Sequence, residues 1–271
     1  MVRRLSPRLL LFVIIVAVVP AYGQGGPPLR TDDPGTPGNG NWEINIGLTT
    51  DRRADLRQFE APIVDVNYGL GERIQLKFEI PFLIEGVNSA ATRSGLGNSL
   101  MGVKWRFYED KKREFSLSTY PQFEFNNPTH SLDRGLVDRG QRLLLPLEVT
   151  KKIGPVDANG EVGYRFAQVG PDDWFVGLAF GQQLTPRVEL LAELYRTAEI
   201  RGAEHESTFG FGSRVKLSKN FVLISMAGRS FSGPASGQPQ LIGYLGVQVL
   251  LSGHGHSGAS DDRHYLRTTA R

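Results

Sequence analysis

Ten charged side chains carry most of the chemistry available to this sequence: Asp65, Lys77, Glu79, Lys104, Arg106, Asp157, Glu161, Arg165, Arg214 and Lys216. Each stands in a stretch where apolar and polar residues alternate. Carboxylates and cations placed so on adjacent strands form cross-strand ion pairs. Around a pore they would line a solute path carrying both signs, which does not make a strongly ion-selective filter. Nucleophilic catalysis is not expected. It needs a serine and a histidine side by side, and His130, His205, His254, His256 and His264 all fall in apparent loops or in the C-terminal tail. His254-Gly255-His256, with Asp261, Asp262 and His264, has metal-ligand residue types but no second shell, so neither a metal nor another cofactor is expected. Gly95-x-Gly97 lacks the strand–loop–helix context of a phosphate loop and reads as a turn. Cysteine is absent, which excludes disulfides, thiol chemistry and lipid attachment at a leader cysteine.

The elements that must position these charges are strands. In Ile63–Phe82, Ile74, Leu76, Phe78, Ile80 and Phe82 alternate with Gln75, Lys77, Glu79 and Pro81. Before them, Val64, Val66 and Tyr68 alternate with Asp65 and Asn67. Period two puts one set on each face of a strand. The short Gly69-Leu70-Gly71-Glu72 between the runs predicts an antiparallel hairpin. The same pattern recurs from Trp42 to about Leu251, for instance Met101, Val103, Trp105 and Phe107 against Gly102, Lys104 and Arg106. Val188–Tyr195 also fits a helix turn, but its alternating neighbours favour a strand. Phe221–Ser230 and Leu241–Leu251 are apolar on both phases, which leaves their facing open.

Residues 1–23 have the form of a secretory signal peptide: Arg3, Arg4 and Arg8, an apolar run from Leu9 to Val19, then Ala21-Tyr22-Gly23. Without the three leader arginines, the 31 basic side chains fall to 28 against 28 acidic ones. The basic pI therefore gives no support for nucleic-acid binding, and none is expected. Residues 24–41 are rich in Pro and Gly and hold no regular element, and they are placed to fold into a lumen as a partial plug. Residues 42–251 form the strand-bearing domain, and 252–271 a polar tail.

Short connections near Leu70–Glu72, Glu109–Arg113, Lys151–Gly154, Thr185–Arg187 and Ser218–Asn220 alternate with longer ones. The longer ones fall near Asp51–Gln58, Leu83–Ser94, Asn126–Arg139, Gln168–Asp172, Arg196–Glu206 and Phe231–Gln238. A soluble β-sandwich would bury the apolar face and has no reason for this alternation. The expectation is an all-β fold, a transmembrane antiparallel β-barrel of about 12 strands with short periplasmic turns and longer extracellular loops. Trp42, Tyr68, Phe82, Trp105, Phe107, Trp174 and Tyr195 near strand ends suit the membrane interface. The location implied is the outer membrane of a Gram-negative-type envelope. The implied partners are membrane lipids including lipopolysaccharide, and the secretion and barrel-assembly machinery during biogenesis. Arg52, Arg53, Arg57, Arg134 and Arg139 in the loops are candidates to hold lipopolysaccharide phosphates.

The run Gly95-Leu96-Gly97-Asn98-Ser99-Leu100-Met101-Gly102-Val103-Lys104-Trp105-Arg106 resembles the bacterial outer-membrane transporter family labelled MetA-pathway of phenol degradation. That family typically has Asp where Asn98 stands. Supporting matches are Tyr68-Gly69-Leu70-Gly71-Glu72-Arg73 leading to Ile80-Pro81-Phe82, and Leu184-Thr185-Pro186-Arg187. The resemblance spans roughly Trp42 to Leu250 and implies a porin-like barrel that moves small, hydrophobic or aromatic solutes, with no catalytic residues. The alternative is a structural or adhesive barrel that transports nothing and acts through its loops.

Overall fold

Alternation is realised as strands throughout. The computed structural model of the chain describes residues 26–87, 91–233 and 237–253; the leader and the histidine-bearing part of the tail lie outside the described residues. The strands are β1 (Trp42–Arg52), β2 (Leu56–Leu70), β3 (Ile74–Val87), β4 (Arg93–Leu96), β5 (Ser99–Asp110), β6 (Phe115–Thr119), β7 (Gln122–Phe125), β8 (Arg142–Ile153), β9 (Val156–Ala167), β10 (Asp173–Thr185), β11 (Val188–Glu199), β12 (His205–Lys216), β13 (Phe221–Ser230) and β14 (Leu241–Leu251). All pairings are antiparallel, and β1 pairs with β14 from Trp42↔Leu251 to Arg52↔Leu241, which closes the sheet. β4 and β5 together run along β3, parted at Gly97-Asn98. β6 and β7 together lie between β5 and β8, parted at Tyr120-Pro121. The wall therefore has twelve staves. Closure leaves no open edge, as a backbone in lipid requires.

The exterior is the apolar face. Ile46, Leu48, Phe78, Val103, Leu145, Leu147, Val162, Leu178, Leu190, Phe211 and Leu245 are all exposed. A continuous apolar belt of this kind is far outside what soluble monomers show and suits hydrocarbon. Aromatic pairs sit towards its margins: Trp42 against Tyr68 (ring centroids 4.6 Å) at the turn end, and Tyr164 against Phe166 (4.5 Å) at the loop end. In the Ile63–Phe82 hairpin, Leu76, Phe78 and Phe82 face outward and Gln75, Lys77 and Glu79 inward, as the alternation predicts. Val188–Glu199 is a strand, in line with the reading of that ambiguous stretch.

One expectation shifts. Strands run further into the loop end than the sequence suggests: β1 extends to Arg52 and β2 begins at Leu56, so Arg53-Ala54-Asp55 alone connects them. The segments after β7 and β13 stay long, while 168–172 and 200–204 are short. Polar residues at strand tips, such as Thr50, Asp51 and Gln58, pair in register above the apolar belt. Their hydrophilic composition imitates a loop. Arg53 also turns inward, to Asp51 (2.8 Å) and Glu206 (2.9 Å).

Candidate functional site: the filled lumen

Residues 26–33 lie inside the barrel, Gly26 N–H donating to the Thr31 carbonyl (3.0 Å), and the chain then runs to the turn-end mouth before β1. At the base, Arg214 Nη2 on β12 donates to the Pro27 carbonyl (3.1 Å). Leu29 then seats among Ala179, Leu191, Met226 and Ile242, which point inward from β10, β11, β13 and β14. Arg30 points further up, where Nη1 meets Glu206 Oε1 at 2.8 Å and the guanidinium lies 5.3 Å from the Tyr195 ring centroid. The Thr31 N–H donates to Glu193 Oε1 (2.6 Å) and the Asp32 N–H to Glu161 Oε2 (3.1 Å). On the way down, Lys104 Nζ donates to Asp32 Oδ1 (2.7 Å) and to the Asp33 carbonyl. At the mouth the segment pairs like a short extra strand: Gly40 N–H donates to the Gly69 carbonyl (2.8 Å) and Gly69 N–H to that of Asn41 (3.0 Å).

Wall residues are shaped for this occupant. A Cβ on Gly177 would lie 2.3 Å from Thr31 Oγ1, and one on Gly69 would lie 1.8 Å from the Gly38 carbonyl oxygen, so glycine is what permits the close approach at both places. The break between β6 and β7 turns Tyr120 fully inward. There its hydroxyl accepts from Gln75 (3.1 Å) and its ring lies 4.7 Å from Lys104 Nζ. A cavity of about 30 Å³ lies beside the segment, lined among others by Asp32, Asp33, Asp65, Lys77, Lys104 and Tyr120. That is room for a water or two and not for a solute.

Of the ten charged residues singled out by sequence, the structure gathers Asp65, Lys77 and Glu79 into one network. Lys77 Nζ lies 2.9 Å from Glu79 and 3.5 Å from Asp65, and Asn45 and Asn67 each donate to Asp65 at 3.1 Å. Lys104, Glu161 and Arg214 contact the segment. Asp157 is buried near the turn end, and Arg165 pairs with Asp173 (3.0 Å) near the loop end. Arg106 lies at the turn-end mouth, donating to the Glu72 carbonyl (2.6 Å), and Lys216 is exposed there. Sequence reasoning missed Glu148, Glu189 and Glu193, the inward apolar cluster, and Arg30, Asp32 and Asp33 of the segment itself. A signal for the cluster existed: the last strands are apolar on both phases because one wall of the lumen is apolar too. Small inward residues Gly177, Ala179 and Gly181 on β10 were the companion signal, since a strand that lines an occupied lumen has to leave room. His130 and His205, the two described histidines, both lie at the loop end. No group of three or more possible metal ligands occurs among the described residues.

Two tests of the seating follow. Thr31 is fully buried, and the chain has no cysteine, so a single Thr31→Cys reports release of the segment through labelling by a hydrophilic maleimide. Adding Gly177→Leu should raise the labelling rate by about tenfold or more, since overpacking at one contact costs about 1–3 kcal/mol, while heat-modifiable gel mobility stays that of a folded barrel. The second test is pH. Burial pushes the Asp33 carboxyl, which lies outside the strands, up to about 7 from an ordinary 3.8; Lys104 pulls it back and Asp32 adds to the rise. A raised acid favours the seated state most below pH 4, and that advantage is lost as pH climbs through 7. Labelling at Thr31→Cys should therefore speed up between pH 5.5 and 8.5, after correction for thiolate reactivity on an unfolded control, and Asp33→Asn should flatten the profile.

No protein-family model matches the chain, and no curated protein matches its sequence. Solved structures do. An outer-membrane channel from Pseudomonas putida F1 superposes with a TM-score of 0.66 at 12% identity, over 84% of this chain and 100% of that one. The translocator domain of autotransporter NalP from Neisseria meningitidis gives 0.54 at 15% identity, over 78% and 88% of the two chains. The NanC porin gives 0.55 at 6% identity, over 76% and 98%. The shared property is the fold, a closed β-barrel of the outer-membrane kind.

Proposed function

We propose that this chain is an outer-membrane channel for small solutes whose lumen is closed at rest by its own residues 26–41. The observation that carries the reading is a removable occupant: residues 26–41 belong to no strand of the wall, leave by the turn-end mouth before β1, and are held by polar contacts from Lys104, Glu161, Glu193 and Arg214. A barrel whose lumen served only stability would fill it with side chains from its own wall. Here the wall residues on β10 are small and the filling is a flexible-composition terminal segment. The channel and porin folds with which the chain superposes support the same reading. Export by the leader 1–23 belongs to it as well.

The cargo within this reading is a small solute with an apolar or aromatic part. It is supported by the niche that takes Leu29 and by the likeness of Gly95–Arg106 to the phenol-pathway transporters. A second reading has one observation in its favour: with the segment seated the lumen is closed, as in a barrel that acts only through its loops. Liposome swelling with aromatic, sugar and amino-acid solutes separates the two. Faster swelling with aromatic solutes than with sugars of similar size supports the channel; no swelling with any solute, even after removal of the segment, would leave the loop-acting barrel.

A further inference from the structure

We infer that the lumen contains a binding site for a small cationic amphiphile, one apolar group joined to an ammonium or guanidinium, and that Leu29–Asp32 occupy it in the closed state. The inference rests on the channel reading and names the class of its cargo. Three inward carboxylates form the site's acidic part. Glu148 and Glu161 stand directly opposite each other on β8 and β9. Glu193 lies on β11, across from Ala179 of β10. All three are at least nine-tenths buried. Like charges directly opposite on neighbouring strands repel, and the one wall cation here, Lys104, reaches Glu148 at 3.8 Å and no other of the three. Among the described residues, neither Glu161 nor Glu193 has a salt-bridge partner. Glu161 accepts from the backbone amide of Asp32 and Glu193 from that of Thr31. Glu148 Oε1 is buried with no hydrogen-bond partner at all.

The second part of the site is independent of the acids. Ala179, Leu191, Met226 and Ile242 make an apolar niche on one side of the lumen, and Tyr195 offers a ring face above it that already receives a guanidinium. When the segment leaves, two buried carboxylates lose their donors beside an exposed apolar niche. A bare buried carboxylate is costly, so the vacated site favours an occupant that returns N–H donors and positive charge to Glu161 and Glu193 and an apolar group to the niche. The closed state imitates such a ligand in parts: Leu29 fills the niche, backbone N–H groups reach Glu161 and Glu193, and the Arg30 guanidinium lies by the Tyr195 ring with its charge on Glu206. Lys104 loses Asp32 at the same time but keeps Glu148 at 3.8 Å, so three carboxylates face one wall cation and the balance favours a cation.

The test is uptake into liposomes carrying the full chain, with phenethylammonium, phenylacetate and 2-phenylethanol as probes of equal size and different charge. The expected result is a phenethylammonium rate about tenfold above phenylacetate, the ratio that a cation-attracting site of this kind produces. In the Glu161→Gln/Glu193→Gln variant that ratio should fall to within about twofold, whatever happens to the absolute rates. Equal uptake of all three probes by the full chain would overturn the inference and leave the channel reading standing. Absence of uptake and of conductance, both in the full chain and in a folded Gly177→Leu variant, would overturn the two together.

Discussion

Excision of residues 26–41, with the leader joined to Trp42, should convert a nearly silent barrel into one with sustained single-channel steps in planar bilayers. The reason is geometric. The segment occupies the lumen at mid-height, and the cavity beside it that Asp32, Lys77, Lys104 and Tyr120 line is about 30 Å³. Seating also draws on several charge-assisted hydrogen bonds, from Lys104, Glu161, Glu193 and Arg214. Such bonds contribute about 1.5–3 kcal/mol each, so the closed state should dominate the intact chain by orders of magnitude. The barrel should survive the excision, because its closure rests on the β1–β14 ladder and not on the segment. Heat-modifiable mobility checks that point separately. Conductance no higher than in the intact chain, from a barrel shown to be folded, would mean that residues 26–41 do not close it.

Lysine on the outer face should be the most destabilising single change, and its cost should depend on depth. Ile46 projects outward from β1, opposite Val247 and Val64, further from the Trp42–Tyr68 girdle than Leu76 is. Ile46→Lys is expected to lower unfolding stability in lipid by about 2–4 kcal/mol, the cost of a lysine near the midplane. Leu76 pairs with Tyr68 of that girdle. Leu76→Lys should cost about 0–1 kcal/mol, since the ammonium reaches the headgroup region from there. The alternation pattern alone assigns Leu76 to lipid but not to a depth, and so predicts the cost of about 2–4 kcal/mol there only if Leu76 lies at mid-bilayer. It also predicts that Lys77→Gln is nearly silent. The structure revises that as well, because Lys77 holds both Asp65 and Glu79. Losing it leaves two carboxylates facing each other, at about 1–3 kcal/mol. Denaturant titration of the three variants in one lipid tests the ranking, and a cost for Ile46→Lys no larger than that for Leu76→Lys would argue against the assignment of face and depth.

Strand existence and facing were legible in the sequence because both are local. A residue's phase in a period-two run fixes its face whatever the run pairs with, so Leu76 and Lys77 part company on sequence evidence alone. The closed barrel of twelve staves followed from counting such runs. Strand ends were not legible, since polar strand tips at Thr50–Arg52 and Leu56–Gln58 look like a loop until their register is known. The site was legible only as a set of candidates. Asp65, Lys77 and Glu79 sit within one hairpin, and their grouping could be read directly. Lys104 with Asp32, or Glu193 with Thr31, could not.

The sequence by itself determined the hairpins, the lipid-facing and inward-facing residues, and a Pro- and Gly-rich segment with no strand of its own. Tertiary structure decided where that segment goes and what receives it. Closure brings β5, β9, β11 and β12 around a common interior, so that Lys104, Glu161, Glu193 and Arg214 converge on residues 26–33. Those partners are 72 to 187 residues apart in the chain. No local pattern encodes contacts made across a lumen, because they exist only once the first and last strands have paired.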